Sequence, residues 1–178
     1  NADKFMNELK TKTFKEAFDM VINNKHDIAL ICLINNNFGN NLTNYALYQF
    51  LNEEKYSVIL IDQTQNAQWK PYKKKWELFA HVPFDAYDLM PSFDNKIDLK
   101  KLNQSCNTFL VGSDQLFRAI FVEGMDYHSC MDWVQSDKYK IAYATSFGTD
   151  DFEGSSEIKG KMKYYLKRFN AISVREYS

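Results

Sequence analysis

Apolar residues in this chain come in short β-branched runs separated by stretches of helical spacing. Residues 28–34 are apolar without interruption, which predicts a strand buried on both faces. Residues 57–62, 108–111, 141–145 and 171–174 predict further strands, and residues 127–134 predict one more. Between these runs the period lengthens. Thr13 and Glu16 form a capping box ahead of Phe14, Ala17, Phe18, Val21 and Ile22, which predicts a helix ending at Asn23 and Asn24. Residues 42–54 predict a helix with Leu42, Ala46, Leu47 and Phe50 on one broad apolar side. Ile158, Met162, Tyr165, Leu166 and Phe169 predict another. Strands alternating with helices imply an α/β fold: a mostly parallel sheet covered by helices on both faces.

Residues 63–106 break the pattern. Pro71, Pro83 and Pro91 fall there, with the cationic run Lys73, Lys74 and Lys75. Helical pieces are expected at residues 76–80 and 99–104, in an insertion draped over one sheet edge. Trp69, Tyr72 and Trp76 beside the lysines suit stacking on sugar or base faces, but such a run more often forms a solvated face with its rings turned inward.

The 178 residues suit one domain with a proper core. A formal net charge of −1 gives no global field for nucleic acid or anionic lipid. No apolar run is long enough to span a bilayer. Cys32, Cys106 and Cys130 are odd in number and far apart, which argues against a disulfide framework and suits a reducing, cytoplasmic setting. His128 and Cys130 would share one strand face, yet two ligands without visible partners make a poor metal site. No metal is expected.

Four polar turns follow predicted strands. The first holds Asn35, Asn36, Asn37, Gly39, Asn40 and Asn41 before a helix, where N–H groups and amides could meet sugar hydroxyls or phosphate oxygens. Asn and Gly also simply form turns, and composition leaves both readings open. The turn lacks G-x-G-x-x-G, so Asp62 at the end of the second strand does not complete a dinucleotide site. The second turn is Gly112, Ser113, Asp114 and Gln115, where Asp114 could act as a general base or form a local Asx turn. The third is Ser146, Phe147 and Gly148, followed by Asp150, Asp151 and Glu153, which suit solvent or the next helix start. The fourth carries Arg175, fit for a two-pronged contact with a carboxylate or phosphate, or for pairing with Glu176.

In their order, these strings resemble the polysaccharide pyruvyl transferase family. The carriers are Asn37, Phe38, Gly39 and Asn40 followed by Tyr45, Ala46 and Leu47; Gly112 to Gln115; Ala144 to Gly148, with Thr145 inserted; and Ser173 to Glu176. Asn40 and Asn41 depart from the family's usual Gly-Ala or Gly-Asp, and Leu116, Phe117 and Arg118 from Val-Trp-Asn, so acceptor choice is not carried over. The resemblance implies a Rossmann-like domain, residues 27–178, that forms the first half of a GT-B-like pair, with residues 1–26 as a helical extension or linker. It implies that the C-terminal domain, with most of the basic residues for phosphoenolpyruvate, lies outside this chain, and that this half alone is inactive.

The implied activity is transfer of a pyruvyl group from phosphoenolpyruvate to a sugar or glycan acceptor, forming a ketal, with no further cofactor. The acceptor would lie over Asn37, Gly39, Asn40, Asn41, Asn44, Ser113, Gln115, Ser146, Phe147 and Gly148. Asp114 would be the catalytic base, and Arg175 would face the donor's charge. The alternatives are a GT-B-like glycosyltransferase domain and a non-catalytic glycan-binding or assembly domain. A homodimer would follow if Phe and Tyr residues normally covered by the second half were left exposed.

Overall fold

In the computed structural model the described residues are 23–33, 38–62, 89–90 and 99–176. The capping box and helix expected before Asn23, the lysine run with its aromatic neighbours and the helical piece at 76–80 lie outside them.

The described chain builds one six-stranded sheet with every neighbouring pair parallel. The strands are β1 (His26–Cys32), β2 (Val58–Asp62), β3 (Leu89–Met90), β4 (Cys106–Val111), β5 (Tyr139–Thr145) and β6 (Ala171–Val174). Their order is β3-β2-β1-β4-β5-β6, the Rossmann arrangement. The fold class is therefore the α/β, Rossmann-like one expected. β1 is central, pairing Ile28 to Val58 on one side and to Thr108 on the other. Burial on both sides explains its unbroken apolar run.

Two cores lie on opposite faces of the sheet. On one, Ile28, Leu30, Cys32, Val58, Leu60 and Leu110 meet Tyr48 and Leu51 of α1 (Phe38–Glu53). On the other, Ala29, Ile31, Ile59, Ile61, Phe109 and Val111 meet α2 (Ala119–Gly124) and α3 (Ser156–Leu166). Phe109 and Trp133 stack edge to face there, with ring centroids 5.3 Å apart. Ser155 caps α3 by accepting from the Ile158 N–H at 3.2 Å. Ile158 and Met162 are buried beneath the helix, with Tyr165, Leu166 and Phe169 against the core, as their spacing predicts.

Three expectations need correction. First, α1 begins at Phe38, so Gly39, Asn40 and Asn41 stand in its opening turn rather than in a loop. Its inner side is also different. Asn40, Asn41, Asn44, Tyr48 and Leu51 are buried, whereas Leu42 and Phe50 are 49% and 57% exposed. Only Leu47, of the expected apolar side, packs partly on the core. The physical reason is polar: Asn44 Nδ2 donates to the Leu33 carbonyl at 2.9 Å, satisfying a backbone group that leaves the end of β1.

Second, residues 127–134 are not a strand. They form turns around a 3₁₀ helix, His128–Cys130, with Tyr127 and Met131 at positive φ. β5 already has β4 and β6 as neighbours, so no slot remains beside it. The carbonyls of Met131, Asp132 and Val134 instead accept from the Arg168 guanidinium. His128 and Cys130 share no strand face; His128 Nδ1 lies 2.9 Å from Asp132 Oδ1, and Cys130 is buried. Burial pushes the Cys106 and Cys130 thiols up to about 12.

Third, the 63–106 stretch is more than a drape over the sheet. Leu89 and Met90 pair with Leu60 and Ile61, giving the sheet its edge strand, and the piece Leu99–Gln104 is a 3₁₀ helix. Among the described residues no helix is long and apolar enough to cross a membrane.

Phe109 is fully buried where the β4 backbone meets Trp133. Phe109→Ala should lower unfolding free energy by about 3–5 kcal/mol. Urea unfolding followed by tryptophan fluorescence measures this, and a loss under ~1 kcal/mol would show that the site collapses around the missing ring.

Candidate functional site

The Rossmann order reverses direction between β1 and β4, and the strand ends there open a crevice at the carboxyl edge of the sheet. A cavity of about 450 Å³ occupies it, lined by Gly39, Asn40, Thr43, Ser113, Asp114, Ala144 and Arg175. Four segments far apart in sequence meet on this one rim: the first turns of α1, the turn after β4, the end of β5 and the turn after β6.

Each segment is held by backbone bonds that continue the sheet. The Gly112 N–H donates to the Ile31 carbonyl at 3.2 Å, locking the turn after β4 beside β1. Asp114 has φ +87°, and its carbonyl accepts from the Leu116 and Ser146 N–H groups at 2.8 and 2.9 Å. The Arg175 N–H donates to the Thr145 carbonyl at 2.9 Å, tying the turn after β6 to β5. Gly112 has φ +146°, and a Cβ there would run into the Tyr143 carbonyl. Glycine is therefore required for β4 and β5 to approach so closely.

The side chains on the rim differ in how far they are committed. The Asp114 carboxylate makes no hydrogen bond or ion pair among the described residues. The Ser113 hydroxyl likewise has no partner there, although Ser113 is only 8% exposed. Arg175 is the cation on the cavity wall, with the Glu176 carboxylate 4.0 Å from its Nε. The expected local pair therefore exists but is a loose one. Thr43 Oγ1 donates to the Gly39 carbonyl at 2.7 Å.

Other expected site residues stand one layer back. Asn44 is buried and bonds Asn40 Oδ1 at 3.2 Å as well as Leu33. Asn41 is buried beside it. Ser146 is fully buried: its hydroxyl accepts from the Gly148 N–H at 2.9 Å and donates to Glu176 Oε1, so it joins the turns after β5 and β6 from within. Phe147 packs on Phe117, with centroids 5.7 Å apart. Gly148 sits against the side chains of Gln115 and Arg118. Gln115 Oε1 accepts from Arg118 at 3.3 Å, and Arg118 in turn forks onto Glu153 at 2.7 and 3.3 Å. Glu153 thus anchors the turn after β4 instead of serving the start of α3. Asn37 lies outside the described residues.

Thr43 and Ala144 belong to this arrangement and were not singled out as site residues from the sequence; Glu176, expected only as a partner for Arg175, also holds Ser146. Thr43 is one helical turn from Gly39 and Asn40, so the correct helix start would have revealed it. Ala144 reaches the rim through a positive φ of 49° at an irregularity in the β5–β6 register, which no residue type announces.

The family model for polysaccharide pyruvyl transferase matches residues 37–178, which contain every residue of the cavity wall. The chain belongs to the polysaccharide pyruvyl transferase family. No curated protein and no solved structure matches it. Membership gives the polar rim a context: a transferase with a sugar or glycan acceptor. Among the described residues no group of three His, Cys, Asp or Glu side chains could hold a metal ion.

Two outcomes follow from these contacts. Gly112→Ala should destabilise the fold by about 2–5 kcal/mol, through an unfavourable φ together with the collision at Tyr143; chemical denaturation reads the loss, and an unchanged midpoint would contradict the close approach of β4 and β5. The Arg118 hydrogen bond holds the Glu153 carboxyl below its ordinary range. A lowered carboxylate value adds stability above the ordinary glutamate range, lost as pH falls through the lowered value. Glu153→Gln should therefore lower the unfolding midpoint at neutral pH, with the gap to wild type closing in acid. A gap that is constant with pH would mean the pair contributes through shape alone.

Proposed function

We propose that this Rossmann-like domain is the acceptor-side half of a pyruvyltransferase that moves a pyruvyl group from phosphoenolpyruvate onto a sugar of a glycan precursor. One observation carries the reading beyond family membership: the Asp114 carboxylate, which makes no hydrogen bond or ion pair among the described residues, lines the same strand-end cavity as Arg175. A ketal-forming transfer needs both kinds of group. Acceptor hydroxyls must lose protons, and a multiply charged donor must be neutralised.

The chemistry is redox-neutral. The methylene carbon of the donor takes up a proton, which makes its C2 electrophilic. One acceptor hydroxyl adds to C2 and a second displaces phosphate, so two C–O bonds form at C2 and the bond to the phosphate oxygen breaks. One hydroxyl proton is balanced by the new methyl group, and the other leaves with phosphate. Asp114 accepts the hydroxyl proton and fixes the sugar's orientation. Arg175 offsets the donor's negative charge as it moves onto the leaving group. Gly39, Asn40 and Thr43 present backbone and amide groups to the sugar. Asn41, Asn44, Gln115, Ser146, Phe147 and Gly148 support that wall from behind. A second domain of GT-B type closes the cleft and supplies further basic residues for the donor.

Asp114→Asn keeps the size of the side chain and removes the base. In the complete enzyme it should reduce turnover about 10²- to 10⁴-fold, measured as phosphoenolpyruvate-dependent phosphate release with candidate glycan acceptors. Wild-type rates in this variant would remove Asp114 from the chemistry. A lack of donor-dependent phosphate release from the wild-type enzyme, with every acceptor offered, would count against pyruvyl transfer itself.

A further inference from the structure

The outer side of α3 carries charge and aromatic surface that the core does not use. We propose that it is a docking surface for an anionic, carboxylate-bearing polysaccharide, separate from the crevice.

Lys159, Lys163 and Lys167 are exposed and stand four residues apart, so they form one stripe along the helix with a rise of ~6 Å from each to the next. Lys167 keeps helical angles, φ −63° and ψ −14°, which carries the stripe past Leu166. Like charges at this spacing repel, so the stripe weakens α3. The helix dipole offsets that only near the last turn, at Lys163 and Lys167. Glu157 is the one acidic residue between Ser155 and Asn170, and it pairs with Lys161 at 2.9 Å. The Lys163 and Lys167 ammonium groups make no hydrogen bond or ion pair among the described residues.

An adjoining row of the same helix holds Gly160 and Tyr164. Glycine inside a helix is less stable than alanine, yet a Cβ at Gly160 would meet nothing within 4 Å. Neither packing nor backbone angle calls for glycine there. One turn on, Tyr164 is 67% exposed. Its ring lies at 71° to that of Tyr165, with centroids 5.2 Å apart, and Tyr165 packs in turn on Tyr127. A helical side chain leans toward the turn before it, so Gly160 leaves the space beside the Tyr164 ring open.

The lysines call for a polyanion, and the ring beside them for one that also offers C–H faces, as sugar rings do. A lipid surface fits poorly, because α3 turns Ile158 and Met162 into the core and keeps no apolar face to insert. One exposed tyrosine gives no run of platforms for successive bases, which disfavours nucleic acid. A glycan chain is the class of acceptor that the family supplies. β5 ends at the crevice rim and β6 begins at the opposite edge of the sheet, so α3 runs from one to the other, and a chain held along it leads away from the crevice. The inference uses the family's glycan acceptor and does not require pyruvyl transfer.

The test is titration of the isotope-labelled chain with oligogalacturonate, following the Gly160 and Tyr164 amides by NMR. A saturable shift at both is expected, weakened by added salt. Replacing the three lysines together (Lys159→Gln, Lys163→Gln and Lys167→Gln) should weaken binding ~10-fold or more, and Tyr164→Ala ~5-fold. Gly160→Leu should raise the unfolding midpoint and still weaken binding, a combination that a purely structural glycine would not give. Dextran, which has no carboxylate, should leave the amides in place. Amides on α3 that stay in place with oligogalacturonate overturn the proposal. So does a shift that the triple variant leaves unchanged, or one that dextran, oligo-dT or phosphatidylglycerol vesicles produce at the same strength. Failure of the phosphate-release assay would leave these shifts intact, so the two readings can fall separately.

Discussion

The parallel pairing of β1 with β4 is the contact on which the rest of the molecule depends. Ile28 to Ile31 lie in register with Thr108 to Val111, and the ladder runs on through the Gly112 N–H to the Ile31 carbonyl. Because chain direction is shared, both strands release their polar turns at the same edge. Because the strand order reverses there, α1 leaves to one face and α2 and α3 cover the other, so among the described residues the gap between them stays open. The cavity is a product of topology first and of side-chain choice second.

Around that opening, anchoring and recognition are divided between residues. Ser146, Arg118 and Glu153 spend their polar groups on one another or on backbone, as do Glu176 Oε1 and Asn44 Nδ2. Among the described residues Ser113 and Asp114 make no side-chain bond, and Arg175 has a loose neighbour in Glu176. Fixed turns presenting unpaired groups cost little reorganisation when a substrate arrives, which is the condition under which electrostatic stabilisation is strongest.

Much of this was legible in the sequence wherever the apolar pattern had a single interpretation. β1 was plain because a residue buried on both faces has to be apolar at every position. α3 was plain because Ile158, Met162 and Tyr165 meet a flat core. Order and type of the four polar turns pointed to the family and to one rim. What escaped has physical causes. The run at 127–134 is rich enough in apolar residues to look like a strand, but its own Trp133 packs on Phe109 and its carbonyls accept from Arg168, with no ladder partner among the described residues. The two-residue strand β3 is too short to leave a periodic trace. Ser146 looked like a ligand contact because it follows a strand; its hydroxyl is used inside the protein.

The inverted side of α1 has a consequence for anyone who rebuilds this scaffold. Hydropathy ranks Leu42, Ala46 and Phe50 as the inward stripe, yet the asparagines at 40, 41 and 44 are the ones enclosed. A design routine guided by amphipathicity would place leucines at those three sites and polar residues outside. The transplanted helix would look more ideal, and it would strip the Leu33 carbonyl of its donor at the mouth of the crevice.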